Sequence, residues 1–213
     1  MEIVAHRGFW LTEAEKNTAE AFVRSAQGGY GIETDVRDFG GELVIAHNMP
    51  ARDEALMSFE DFMQLYFDRA ERPGYLAINI KSDGLQEALQ PVLKKYEQAK
   101  YFVFDMSVPD TLGYRKLGIN FFSRVSEYEE KPVLLQACDG IWLDAFHGEW
   151  YSMDDIRAWL QQNKKVCIVS PELHKRDHKP LWEKIKRGGL HLDEGLLLCT
   201  DFPDKALKYF HEQ

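Results

Sequence analysis

Nine short β-rich runs recur along the 213 residues: EIVAH, GIETDV, LVIAH, LAINIK, YFVFDM, INFFSRV, GIWLDAF, KVCIVS and GLLLCT. Amphipathic stretches separate them, and this alternation limits the fold more than any single motif. Apolar strands joined by helix-length connections pack as a parallel sheet buried on both faces, with right-handed crossovers. LVIAH differs, because it follows GIETDV through DFGGE, whose Gly-Gly pair signals a hairpin. It extends the second strand instead of opening a new unit. Eight βα units remain, and eight such units close into a compact (β/α)8 TIM barrel with a small hairpin extension after strand two. An open doubly wound sheet is the alternative topology.

The connections carry helix signals. NTAEAFVRSAQGG has Asn17 or Thr18 as cap and a Gly pair as stop, SFEDFMQLYFDRA has Ser58 as cap, and DGLQEALQPVLKKYEQ is interrupted by Pro91. VPDTLGYRKLG, SMDDIRAWLQQN, KPLWEKIKRGG and PDKALKYFHE are shorter helices, while residues 127–132 are weakly helical. There is no low-complexity segment and no Pro/Gly/Ser linker, so residues 1–213 are expected to form a single domain.

A hydrophobic content of 45% supports a buried core, and the net charge of -9 argues against nucleic acid or an anionic membrane held by a general positive field. A phosphate-bearing partner therefore needs a local site, and the expected partner is a small molecule, with no nucleic acid and no stable membrane association. Cys138, Cys167 and Cys199 lack both zinc-site spacing and disulfide-scaffold density. They are expected to be buried thiols in a reducing compartment. No segment approaches the roughly 20 apolar residues of a membrane helix, and no charged-then-apolar leader precedes the first strand, so a cytoplasmic protein is expected.

In such a barrel the side chains at the C-terminal strand ends form the active site. Every run delivers polar groups there: His6 and Arg7, Glu33 and Asp35, His47, Asn79 and Lys81, Asp105, Arg124, Asp144, Ser170 and Glu172, and Thr200 and Asp201. Glu33 and Asp35 stand two apart, on one face of a strand and about 7 Å apart at their alpha carbons. Two carboxylates in a half-buried mouth need neutralising, either by a hard cation with oxygen ligands or by salt bridges to Arg7, Arg37 or Lys81. Asn79 and Lys81 repeat the spacing; an amide oxygen can ligate Mg²⁺ or Ca²⁺, and a lysine can hold a phosphate oxygen. Histidine ordinarily titrates near neutral pH, which suits His6 and His47 to acid and base roles, while Arg7 suits a planar anion such as phosphate.

Other features carry less. Arg124 and Glu127, and likewise Asp144 and His147, belong either at the rim or in helix caps and surface pairs. Trp10 follows the first strand and is expected to line the substrate cleft, whereas Trp142, inside an apolar run, is expected in the core. HKRDHK at 174–179 reads as a solvated mixed-charge turn ahead of a helix.

The string HRGFW…KNTAEAF…GYGIETDVRDFGGELVIAHN resembles the glycerophosphodiester phosphodiesterase family. That family's pattern is His-Arg-Gly, Glu-Asn-Thr with an Ala-Phe helix, Glu-x-Asp-Val, a short hairpin and His-Asp. NIK at Asn79 to Lys81 falls where the family has Glu-x-Lys, and CTDFP at Cys199 to Pro203 resembles its closing Thr-Asp-x-Pro. The resemblance is dense over residues 3–81 and thin from there to the last strand. It implies a (β/α)8 barrel and a metal-dependent phosphoric diester hydrolase that releases an alcohol and glycerol phosphate. His6 and His47 would be the acid/base pair, with Arg7 and Lys81 on phosphate. Glu33 and Asp35 would ligate a divalent cation, Mg²⁺ or Ca²⁺, with Asn79 at the third ligand position, and Asn17 would shape the pocket. Three positions depart from the pattern: Lys16 replaces the glutamate before Asn-Thr, Asn48 the aspartate after the second histidine, and Asn79 the third carboxylate. Losing a negative ligand weakens cation binding unless Asp105 or the substrate phosphate compensates. Two other readings follow: a degenerate member that binds a phosphoester without turnover, and an unrelated metal-dependent barrel acting on sugar phosphates.

Overall fold

The computed structural model describes residues 1–211. The strands are β1 (Glu2–His6), β2 (Gly31–Phe39), β3 (Glu42–Ile45), β4 (Leu76–Ile80), β5 (Tyr101–Phe104), β6 (Phe122–Val125), β7 (Gly140–Leu143), β8 (Lys165–Val169) and β9 (Leu196–Thr200). They run in the order β5-β4-β2-β1-β9-β8-β7-β6, with β3 antiparallel on β2 and all other pairs parallel. The two ends of this path meet through a parallel bridge from Val103 to Phe121, where Val103 N donates to Asn120 O at 3.0 Å. That contact makes the sheet a nearly closed barrel of eight parallel strands and rules out the open doubly wound alternative.

Seven helices follow the strands: α1 (Ala19–Gln27), α2 (Phe59–Arg69), α3 (Gln86–Lys95), α4 (Val108–Lys116), α5 (Met153–Gln161), α6 (Lys179–Arg187) and α7 (Pro203–His211). Glu212, the last residue of the seventh expected helix, lies outside the described residues. No helix among the described residues is long and apolar enough to cross a membrane. Thr18, not Asn17, caps α1 by accepting from Ala21 N, and Ser58 caps α2 by accepting from Asp61 N. This leaves Asn17 free for the barrel mouth.

Two helix expectations are corrected. Pro91 does not interrupt α3: the proline removes one backbone donor, but buried Leu89 and Leu93 anchor the turns on either side. Residues 127–132 form no helix. The Glu127 carboxylate instead accepts from the backbone N–H groups of Phe146 and His147 at 3.0 and 2.9 Å, tying the segment to the loop after β7.

Aromatic side chains fill the barrel interior where β5 and β6 share only a bridge. Phe102 stacks on Phe122 with centroids 3.6 Å apart, and Phe104 on Trp142 at 3.9 Å, so Trp142 is core as expected. All three cysteines are buried free thiols, and burial pushes each thiol up. Register then levels the mouth: His6 pairs with Glu33 across β1 and β2, and Asp35 with Asn79 across β2 and β4.

Candidate active site

Strand β1 ends at His6, and the chain leaves it through two left-handed residues, Arg7 (φ 56°) and Gly8 (φ 84°). A Cβ on Gly8 would lie 2.8 Å from Ala21 Cβ, so only glycine lets α1 close on the strand end. Arg7 has no such freedom, and a long side chain held at positive φ marks stored strain of the kind found at functional sites. Its N–H donates to Glu33 O at 2.9 Å and lies 3.2 Å from Glu33 Oε2, which holds the turn.

His6 Nδ1 lies 2.7 Å from Asp201 Oδ1. A carboxylate only accepts, so Nδ1 carries the proton and Nε2 faces Glu33 Oε2 at 3.9 Å. Asp201 is the partner that sequence reasoning placed at the rim without a role; its position at the end of β9, within the Thr-Asp pair, was the available signal. Glu172 fixes that strand end by accepting from Asp201 N at 3.1 Å and from the hydroxyls of Thr200 and Ser170.

Glu33 and Asp35 are both buried, at 2% and 0% exposure, but their surroundings differ. Burial, reinforced by the Asp35 charge, pushes the Glu33 carboxyl up to about 7. Burial also pushes Asp35 up, but Lys81, Arg7 and a hydrogen bond from Asn17 together hold it below the usual range. Asn17 Nδ2 donates to Asp35 Oδ2 at 2.8 Å, Arg7 Nε lies 3.1 Å from the same oxygen, and Lys81 Nζ is 3.1 Å from Oδ1. Arg37, the third expected salt-bridge partner, instead donates to His47 O at 3.3 Å.

Neither cation meets Asp35 in hydrogen-bonding geometry, so Arg7 Nε and Asp35 Oδ1 remain buried without a hydrogen bond, as does Asn79 Oδ1. Asn79 Nδ2 reaches Glu33 Oε1 at 3.5 Å. Among the described residues no three His, Cys, Asp or Glu side chains cluster as metal ligands. Two orphaned oxygens on registered residues beside a raised carboxyl nevertheless fit a hard, oxygen-seeking cation held by Glu33, Asp35 and Asn79.

His47 lies past β3, exposed, with Nδ1 2.9 Å from Asn48 Oδ1. It borders a cleft of about 610 Å³ together with Arg7, Lys16, Asn17, Met49 and Met57. Trp10 Nε1 donates to His6 O at 3.1 Å, and its ring lies 4.4 Å under the Lys16 ammonium. A second cavity, about 480 Å³ and lined by Tyr75, Lys100 and Lys165, opens at the opposite end of the barrel and contains no histidine.

The far half of the mouth differs from expectation. Asp105 pairs with Arg124 at 3.0 Å. HKRDHK forms the expected turn ahead of α6, with Lys175, Asp177 and Lys179 exposed, but two of its side chains fold back on the loop after β7: His174 Nε2 lies 2.7 Å from Asp144 Oδ1, and Arg176 donates to Ala145 O. Glu127 accepts from backbone N–H groups of the loop after β7, and His147 forms an exposed pair, its Nε2 2.5 Å from Tyr128 OH.

Solved structures share this architecture. A glycerophosphodiester phosphodiesterase from Parabacteroides distasonis aligns with a TM-score of 0.68 and 18% identity over 99% of this chain and 96% of its own. One from Agrobacterium tumefaciens aligns at 0.68 and 14%, covering 96% and 97%. The fold is that of the glycerophosphodiester phosphodiesterases. A Ca²⁺-dependent phosphatidylinositol-specific phospholipase C from Streptomyces antibioticus also shares it, at 0.60 and 12% identity over 96% and 95%. No protein-family model and no curated protein sequence matches the chain. On the glycerophosphodiester phosphodiesterase fold, His6, Arg7, Asn17, Glu33, Asp35, Asn79 and Lys81 form one connected cluster at the strand ends, with His47 across the adjoining cleft.

Proposed function

We infer that the barrel mouth hydrolyses a small glycerophosphodiester-type substrate to an alcohol and glycerol phosphate. The observation that carries this reading is a pair of cations, Arg7 and Lys81, each 3.1 Å from the buried Asp35 carboxylate and beside the His6–Asp201 pair. Their ion pairs lack hydrogen-bonding geometry, so both can turn donors toward the nonbridging oxygens of a bound phosphodiester and offset the charge that builds there. His6, held at Nδ1 by Asp201, offers Nε2 for proton transfer, and His47 offers its ring from the cleft side. One takes the proton of the attacking hydroxyl or water, and the other returns a proton to the departing alcohol oxygen. Asn17 holds Asp35 in place and so spaces the two cations. A divalent cation, Mg²⁺ or Ca²⁺, would be held by Glu33, Asp35 and Asn79 and supplies Lewis-acid polarisation when bound.

A second reading, a phosphoester binder without turnover, is favoured by the charge count. Asp35 is already flanked by two cations, and the third ligand is an amide. Hydrolysis of glycerophosphocholine and glycerophosphoethanolamine with Mg²⁺, Ca²⁺ or EDTA separates the two readings. Cation-dependent turnover that is lost in Glu33→Ala supports the hydrolase. A folded protein that binds glycerol 3-phosphate diesters yet turns over none of them with any cation, whether the second alcohol is cationic, neutral or anionic, supports the binder.

A further inference from the structure

The cleft beside the catalytic cluster holds one cation, Lys16, that the hydrolytic reading does not use. Arg7, Lys16 and His47 line it, and its one acid, Glu54, turns its carboxylate back to accept from Ala51 N at 3.0 Å. Two of the three departures from the family pattern, Lys16 and Asn48, lie in this wall, and each stands where that pattern has an acid. Lys16 is also held in place: its side chain is 18% exposed, and its ammonium sits 4.4 Å over the Trp10 ring. Trp10 in turn is tied to the carbonyl of His6, so the lysine is registered to the catalytic strand. Its one carboxylate partner, Glu13, lies 3.3 Å away and is 84% exposed. Glu13 is the exposed member of the pair, so an anion in the cleft competes with it for the Lys16 ammonium.

We propose that this cleft receives the alcohol arm of the diester and that Lys16 selects arms carrying an anionic group, a phosphate or carboxylate, over cationic ones. The proposal rests on the hydrolytic reading of the site. A compact ammonium on a residue that lines the cleft suits a phosphate or carboxylate oxygen, whereas a quaternary ammonium arm meets like charge from Lys16 and Arg7.

The test compares three diesters of glycerol 3-phosphate whose second alcohol is glycerol phosphate, glycerol or choline. The expected order of kcat/KM is anionic, neutral, cationic. Lys16→Met should lower the ratio of anionic to choline substrate about tenfold, the worth of one charge-assisted hydrogen bond, Lys16→Glu should invert it, and Lys16→Arg should keep it. A ratio unmoved by Lys16→Glu, or an equal loss on all three diesters, overturns the proposal. Calorimetric titration of the same diesters separates the two layers. Charge-selective binding that depends on Lys16, without turnover of any diester, sinks the hydrolytic reading and keeps the cleft assignment. Turnover without charge preference does the reverse, and neither binding nor turnover overturns both.

Discussion

The two halves of the barrel mouth use the same residue types to opposite effect. On the β5–β8 side the strand-end acids are matched: Asp105 pairs with Arg124 at 3.0 Å and Asp144 with His174 at 2.7 Å. On the β1–β4 side the matching stops short. Glu33 has no closer positively chargeable side-chain group than His6 Nε2 at 3.9 Å, and Arg7 Nε, Asp35 Oδ1 and Asn79 Oδ1 are buried without hydrogen bonds. Buried polar atoms without hydrogen bonds occur on the other side too, at Tyr151 OH and Arg176 Nε, so what sets the β1–β4 side apart is that its unpaired atoms gather at the strand ends around Asp35. On the proposed function the β1–β4 side is the site and the β5–β8 side its scaffold.

The largest expected effect separates the halves by activity. His6→Ala should reduce kcat by about 10²–10⁴-fold, the usual worth of a general acid or base, with the fold retained by circular dichroism. Asp144→Asn should instead lower the melting temperature and leave kcat within about threefold. Equal losses of kcat in both variants would break the distinction between site and scaffold.

A stability measurement comes next. The Glu33 carboxyl is raised to about 7 in the folded protein, against an ordinary value of 4.5, so the folded state holds a proton there that the unfolded chain has released. Stability should therefore fall as pH rises from about 4.5 to about 7 and level off above. Glu33→Gln should remove this dependence in urea titrations at pH 5 and pH 8 without divalent cation. If the variant keeps the same pH slope, Glu33 is not the unmatched charge.

The smallest effect sharpens the comparison at the cation site. Asn79→Glu should tighten binding of Ca²⁺ or Mg²⁺ by about tenfold in calorimetry, because affinity rises with ligand charge. Asp105→Asn, on the matched side, should leave that affinity where it was. A drop in Asp105→Asn would bring Asp105 into the cation site despite its pairing with Arg124.

All nine strands, the hairpin after β2 and seven helices were legible in the chain, because alternation, caps and Gly stops act over a few residues. What was misread depends on neighbours far along the chain. Pro91 stays helical because Leu89 and Leu93 are packed, and residues 127–132 stay irregular because Glu127 binds a loop 20 residues on. HKRDHK is the turn its composition suggests, and only the loop after β7 gives His174 and Arg176 partners that composition does not show.

Residues two apart in a strand share a face, so the sequence by itself determined that Glu33 and Asp35, or Asn79 and Lys81, point the same way. Strand pairing and barrel closure decided which of them meet. The pairing of β2 with β4 brings Lys81 onto Asp35, and the path from β5 back to β6 hands Asp105 to Arg124. The pairing of β9 with β1 sets Asp201 against His6 across 195 residues. Local chemistry selects faces, but only the closed sheet brings the ends of distant strands within hydrogen-bonding distance.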